Sequence, residues 1–558
     1  MEVLQTALIA AGLVLPGWGW ARRWDEGLLV AMLGSWVSLF AWTLLTTVLP
    51  ISLSLGYLLA GQAFTGVAGW VWARKDKVAM RVPKVSGQLG VGWLVLPLVL
   101  VAGWKAVFQP LSGVDADFRW NHLAEMMIKH GGLEFYPPTS AEDFAVYFWA
   151  DGIPPLISTL YAWSYLVAGE TNRGWTAVPV LLQWLALLLV VRRVGTLWGG
   201  VGGANWALLL AGSTFLLQFA INLGQETGCT AIGVGLMILG LTQAGPEKPS
   251  QAGWMAGLGA AVLAASREYG VLIAGVGLIS HVMIQWRGQR DWRALRGWLL
   301  LLVPAWWFLR TWIRSGNPWL SLSMGGVFPV NPIFHEWIGG YQALYGGALS
   351  SFAGWQEIGR LLLMTAAPAT LGWIAGATLF RNRAGWTVAM AVSAATVLCW
   401  LLSVAYTAGG VFYSMRVLRP VLVLGCAWGG ALIAEKLTTP TARVLVAGML
   451  GLVSVDATAR SLTAPINPWT TALTDWPSVG YTWQTDFWPE QEKFIDAAVA
   501  ALPGRFVGDA SGLQRFFAKH DREFVPWWSP ETRALFDDAA ESDPVDTLRA
   551  RGITYLVF

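Results

Sequence analysis

The sequence predicts an all-α polytopic membrane protein of about fourteen membrane helices, with a small α/β domain at the C-terminal end. Three observations predict it. Of 558 residues, 55% are hydrophobic and only 13% are charged, with a mean hydropathy of +0.51. Soluble domains carry about 25% charged residues, so this deficit points to a chain solvated by lipid. Apolar runs of bilayer length recur through the first 456 residues. The character of the chain then changes. From Ala457 to Phe558 there are 9 Lys/Arg and 14 Asp/Glu, which leaves 28 and 20 of the chain's 37 and 34 for the preceding residues.

A hydrocarbon core of about 30 Å takes roughly 17–25 apolar residues in a helix. Such runs fall near 3–20, 27–48, 51–72, 91–109, 175–193, 200–221, 227–244, 253–266, 270–286, 298–314, 358–380, 385–407, 415–435 and 440–456. The first has no basic segment ahead of it and reads as a membrane helix, not as a cleaved signal. The runs 253–266 and 270–286 are short and read as a partly re-entrant pair. Trp18, Trp20, Trp70, Trp72, Trp298, Trp306 and Trp307 flank apolar runs, as interface belts do.

Lys and Arg set the orientation. Arg22–Arg23, the stretch from Arg74 to Lys84, Arg192–Arg193, Arg287 to Arg296, and Arg381 with Arg383 all sit between or after spans. All fall on the cytoplasmic side only if the apolar stretch Pro154–Gly169 does not cross. It is therefore read as an interfacial or re-entrant helix. Three loops, 110–174, 315–357 and 408–414, then face outward, together with the acidic tail. The expected division is a membrane domain over 1–456 and a soluble extracytoplasmic domain over 457–558. In that tail Pro489–Leu502 and Pro544–Ala550 read as helices, and Gly504–Gly508 and Ile553–Phe558 as strands.

Composition and motifs exclude several functions. No basic cluster marks a nucleic-acid partner. The three cysteines, Cys229, Cys399 and Cys426, lie in apolar runs with no C-x-x-C pair, so no disulfide framework is indicated. There is no G-x-x-x-x-G-K-[ST], H-E-x-x-H or G-x-S-x-G, so ATP hydrolysis, zinc proteolysis and serine hydrolysis lack support.

The first outer loop carries the densest chemistry: Asp115-Ala116-Asp117-Phe118-Arg119, then His122, Glu125, Lys129 and His130. A carboxylate just past the end of a span can take a proton from an acceptor hydroxyl. Arg119 is near enough to pair with a phosphate or with Asp115. The bland alternative is a solvated loop with ordinary charges, since two Asp two residues apart make a weak pattern. His122 and His130 are more readily structural than ligands. Asp115, Asp117 and Glu226 are the candidate ligands should a divalent cation bind. Arg267, Arg310, Arg314 and Arg416 fall near outer span ends, where ionisable groups are functional candidates; snorkelling, or pairing such as Arg267 with Glu268, is the alternative.

The order of these features resembles the GT-C superfamily of membrane glycosyltransferases, in particular the protein O-mannosyltransferase and lipid A aminoarabinose transferase group. The resemblance rests on the Asp115/Asp117 loop; Pro154-Pro155-Leu156; Glu226 at a helix end; the Gly257 helix ending in Arg267; Arg314-Ser315-Gly316-Asn317-Pro318; Arg416-Val417-Leu418-Arg419-Pro420; and the closing Gly552–Val557 strand. It spans most of residues 91–435. Ile153 stands where some members carry Lys, and the local pattern around His122 is similar to poorly characterised bacterial branches. The resemblance implies a GT-C-like body with interfacial helices in the first outer loop. It implies Asp115 or Asp117 as catalytic base, Arg119, Arg267 and Arg416 at the donor phosphate, and Glu226, His122 and Lys129 at substrate.

The function expected is inverting transfer of a hexosyl or pentosyl group from a polyprenyl-phosphate donor to a lipid, glycan or protein acceptor. The expected place is the outer face of a bacterial plasma (inner) membrane, with membrane lipids as further partners and a divalent cation as the one cofactor to consider. Two other readings compete. One is an O-antigen polymerase or ligase type of glycosyltransferase, although loop 315–357 has His335 and Glu336 and no Arg. The other is a lipid or solute transporter, which predicts internal repeats that the sequence does not display.

Overall fold

The computed structural model describes residues 2–21, 26–75, 90–108, 111, 116–243, 249–287, 291–407, 410–463, 489–508, 514–535 and 543–557. Asp115 and loop residues 408 and 409 lie outside them. Among the described residues, nine helices are long and apolar enough to cross a membrane: Glu2–Ala21, Gly27–Leu45, Gly90–Val107, Arg173–Gly212, Tyr269–Arg287, Phe352–Leu379, Trp386–Tyr406, Gly410–Lys436 and Pro440–Ser461. Three shorter apolar helices, Leu156–Ala168, Thr227–Thr242 and Gln251–Ala264, join them. The all-α membrane body and small C-terminal α/β unit are those the sequence predicts.

The helical stretch over 173–212 is two helices. Gly200 takes φ 60°, ψ −158°, a conformation that suits glycine, and the chain folds back there. A Cβ on Gly195 would come within 2.9 Å of Ala207 and 3.1 Å of Ala204. The run read as a span at 200–221 is broken again at Ser213–Thr214, before the helix Phe215–Asn222. Ser213 covers the break by donating from Oγ to the Leu209 carbonyl at 2.7 Å.

Packing inside the body relies on small residues. A Cβ on Gly233 would lie 2.7 Å from the Gly259 carbonyl, and one on Gly430 2.5 Å from that of Gly203. Lipid tails are as apolar as leucine, so helices gain by close backbone approach. These contacts bring Thr227–Thr242 against Pro249–Ala264, and Arg419–Lys436 against the 177–212 hairpin.

Helix Leu156–Ala168 has 13 residues, about 20 Å at 1.5 Å per residue, too short for a core of about 30 Å. It does not lie on the surface: Leu156 through Tyr165 are all buried. Trp163 donates from its indole to the Ile9 carbonyl at 3.1 Å, and Gln5 donates to the Ala168 carbonyl at 2.7 Å.

The C-terminal unit holds a three-stranded parallel sheet in the order β2-β1-β3: β1 is Arg505–Gly508, β2 Glu523–Pro526 and β3 Ile553–Val557. Helices Pro489–Ala501, Gln514–Lys519 and Pro544–Ala550 surround it. Parallel strands need such crossovers. Sequence reading did not find β2, whose four residues end in proline and show no alternation. Val507, Val525, Leu548 and Ile553 form a small core of this unit.

Candidate active site

Four separate segments meet at the end of the bundle where the C-terminal unit docks. A π-helical turn, Ala116–Asn121, carries Arg119 and leads into helix His122–Lys129. π-turns are rare and frequent at functional sites. An irregular segment from Tyr147 to Pro155 carries Asp151. The turn before helix Thr227–Thr242 carries Gln225 and Glu226, and the turn before helix Tyr269–Arg287 carries Arg267 and Glu268.

Arg119 and Asp151 form a buried ion pair, Nε to Oδ2 3.0 Å, with side chains only 9% and 6% exposed. Tyr136 donates its hydroxyl to Asp151 Oδ1 at 2.9 Å and to the Ile153 carbonyl at 2.7 Å. The Arg119 guanidinium also lies over the Trp149 ring, 5.2 Å from its centroid, at cation–π range. Burial pushes the Asp151 carboxyl up to about 6, against the opposing pull of Arg119. Arg267 and Glu268 are within electrostatic reach of the same carboxylate.

Glu226 and Arg267 form the second pair, Oε1 to Nε 2.5 Å. Glu268 stands 3.7 Å from the other side of Arg267. Glu226 is 1% exposed, yet its Oε2 has no hydrogen-bond partner among the described residues. An unsatisfied buried carboxylate oxygen is costly.

Arg416 is stacked over the Tyr413 ring, 3.9 Å from its centroid, and donates from Nη1 to Gln225 Oε1 at 3.3 Å. Gln225 in turn donates to the Tyr413 hydroxyl at 2.7 Å. Arg419 is fully buried. It donates from Nε to the Leu216 carbonyl at 2.6 Å and from Nη1 to Thr227 Oγ1, while Nη2 has no hydrogen-bond partner among the described residues. The break at Ser213–Thr214 opens the helix just ahead of Leu216, whose carbonyl this arginine uses.

The structure therefore gathers Arg119, Glu226, Arg267 and Arg416 at one end. Of Asp117, the backbone lies in the π-turn beside Arg119. His122 is buried, its Nε2 3.4 Å from the Val146 carbonyl. Lys129 stands apart: it is exposed at the far end of its helix, about 15 Å along from Arg119 by helical rise. There it lines a half-open cavity of about 240 Å³ with His130, Gln514, Phe517, Asp521 and Arg522. Arg310 and Arg314 tie the Gly-Asn-Pro helix to the first loop; Arg310 donates to the carbonyls of Tyr136 (2.5 Å) and Leu133 (2.7 Å), and Arg314 pairs with Asp143 at 2.9 Å. Among the described residues no three His, Cys, Asp or Glu side chains form a metal-binding group, and Glu226 Oε1 is taken by Arg267.

Sequence reading missed Asp151 and Arg419 as site residues. Signals for both were present. Asp151 stands three residues before the Pro-Pro-Leu segment, and Arg419 interrupts an apolar run just before Pro420.

The helical body and the small C-terminal unit together have a counterpart of similar fold among solved structures. Among solved structures the chain is similar to ArnT from Cupriavidus metallidurans bound to undecaprenyl phosphate. The TM-score is 0.50 at 12% identity, covering 84% of this chain and 90% of that one. The apo state of the same protein gives 0.48 at 13% identity, covering 78% and 85%. At such identity the likeness is one of fold. No family model matches the chain, and no curated protein does.

Proposed function

We propose that this chain is a membrane glycosyltransferase that moves a sugar from a polyprenyl-phosphate donor to an acceptor hydroxyl at the extracytoplasmic face. The observation that carries the reading is the convergence of Arg119, Arg267, Arg416 and Arg419 with Asp151 and Glu226 at one end of a GT-C-like bundle. A donor of this class buries its tail in lipid and presents a phosphosugar at the interface. Fixed cations there stabilise the departing phosphate without reorganising. The ArnT structure of similar fold holds undecaprenyl phosphate, which supports a lipid phosphate as the ligand class.

In this reading Asp115 or Asp117 takes the acceptor proton, and the acceptor oxygen attacks the anomeric carbon. The bond from that carbon to the phosphate oxygen breaks, its electrons leave with polyprenyl phosphate, and configuration inverts. Arg416 and Arg419 face the phosphate. Glu226 Oε2 accepts from a sugar hydroxyl, while Arg267 holds its other oxygen. Arg119 is oriented by Asp151 and Trp149 beside the carboxylate loop. The bundle over 1–456 is the membrane domain, and the tail over 457–558 lies outside the plasma membrane. Replacing both Asp115 and Asp117 by Asn should lower the transfer rate by at least about 100-fold. A double variant that keeps its rate overturns the base assignment.

A further inference from the structure

The segment from Tyr147 to Pro155 has no regular structure of its own, yet it carries Trp149 and Asp151, both buried. Its backbone groups therefore need partners from elsewhere. The C-terminal unit supplies those of Phe148, while Trp307 and Tyr136 donate to the carbonyls of Gly152 and Ile153. Gln514 accepts from the Phe148 amide at 3.1 Å and donates to the Val146 carbonyl at 3.2 Å. The Trp528 indole donates to the Phe148 carbonyl.

Trp528 also reaches the site through its ring. It is 1% exposed and meets Trp149 edge-on, with centroids 5.4 Å apart and planes at 86°. The opposite contact of Trp149 is the Arg119 guanidinium at 5.2 Å. Asn331 of the second outer loop donates to the Trp528 carbonyl at 2.7 Å and fixes it from behind. One line of contact thus runs from the tail sheet to the ion pair: Trp528, Trp149, Arg119, Asp151.

We propose that Trp528 is a positioning residue of the active site, and that the C-terminal unit sets the Arg119–Asp151 geometry by clamping residues 146–149. The proposal rests on the reading of Arg119 as a site residue. A loose segment belongs to the low-stability end of a fold unless contacts restrain it. Here the restraint at residues 146–149 comes from a unit more than 350 residues away in the chain. Docking of that unit and completion of the site are then one event.

The test uses the full-length protein in lipid nanodiscs, with Trp528→Ala, Trp528→Phe and Gln514→Leu. Hydrogen exchange is followed in peptides covering 116–121 and 146–153. Trp528→Ala should speed exchange in both about tenfold, with helix Phe352–Leu379 unchanged. Trp528→Phe, which keeps an aromatic ring but loses the indole N–H donor to Phe148, should fall between it and wild type; it and Gln514→Leu serve if the alanine variant does not fold. Unchanged exchange at 116–121 on losing the Trp528 ring overturns the proposal. Undecaprenyl phosphate is the probe for the consequence. Trp528→Ala should weaken its binding about tenfold, and Trp528→Ala with Arg119→Ala should be no weaker than Arg119→Ala alone. Losses that multiply overturn the coupling. If wild type binds no undecaprenyl phosphate while exchange responds as stated, the donor assignment fails and the positioning role stands.

Discussion

Arg119 and Asp151, thirty-two positions apart in the chain, meet at 3.0 Å in the interior of the segment 116–155. Both side chains are buried. The pair is therefore a commitment of the fold: removing one partner leaves an uncompensated buried charge, which costs about 3–5 kcal/mol. Arg119→Ala should lower the melting temperature more than replacing both partners by a neutral pair such as Arg119→Gln with Asp151→Asn. Thermal unfolding of wild type and the two variants in one detergent checks this. Equal losses for single and double variants would show that the charges do not interact.

The same carboxylate predicts opposite pH trends for stability and activity. The folded pKa of about 6 is raised above the usual 3.8 by burial, with Arg119 opposing. A raised acid contributes stability that is fully present below its unfolded pKa and is lost as pH rises through the folded value. Wild type should lose stability relative to Asp151→Asn between about pH 4 and 6, by on the order of 3 kcal/mol. The ion pair needs the charged form, so transfer activity should rise with a midpoint near pH 6 and lose that step in Asp151→Asn. Denaturation and rate profiles over pH 4–8 measure both.

Arg416 is held by the face of Tyr413 and by Gln225. Tyr413→Phe keeps the face and loses one hydrogen bond; Tyr413→Leu loses both. A desolvated cation–π contact contributes up to about 2 kcal/mol. Affinity for undecaprenyl phosphate should fall about tenfold in Tyr413→Leu and less than about threefold in Tyr413→Phe. Equal effects would place the hydroxyl, not the ring, in charge of Arg416.

Glu226 offers one oxygen to Arg267 and one to the site. Glu226→Gln keeps the shape but removes the charge that balances Arg267. With a charge-assisted hydrogen bond to a sugar hydroxyl lost, kcat/KM should drop at least about tenfold, at about 1.5–3 kcal/mol for such a bond. Undecaprenyl phosphate, which lacks the sugar, should bind with less change than that. A larger loss for the sugar-free ligand than for turnover contradicts the hydroxyl role.

Much of this was legible before the fold was seen, because membrane topology constrains strongly. Apolar runs and the exchange of basic for acidic residues near Ala457 suggested the expected division, although helix Pro440–Thr463 runs on past it. Polar span ends pointed to Glu226, Arg267 and Arg416, which lie near one another in the fold. What was not legible depends on tertiary pairing. Asp151 reads as an ordinary loop acid until Arg119 is seen beside it. Arg419 reads as a span-end cation until its buried guanidinium is seen at a broken helix. Lys129 shares a loop with Arg119, but helical rise carries it away, a separation that spacing along the loop conceals. The strand Glu523–Pro526 is too short to announce itself and forms only because Arg505–Gly508 pairs with it.

The central claim is that this polar end handles a lipid-linked sugar. Purified full-length protein in nanodiscs, incubated with a panel of undecaprenyl-phosphate-linked sugars, tests it most directly, with release of free undecaprenyl phosphate as the readout. The account predicts saturable release from at least one sugar, lost when Asp115 and Asp117 are both replaced by Asn. Release from none of the panel, or undiminished release from the double variant, contradicts it.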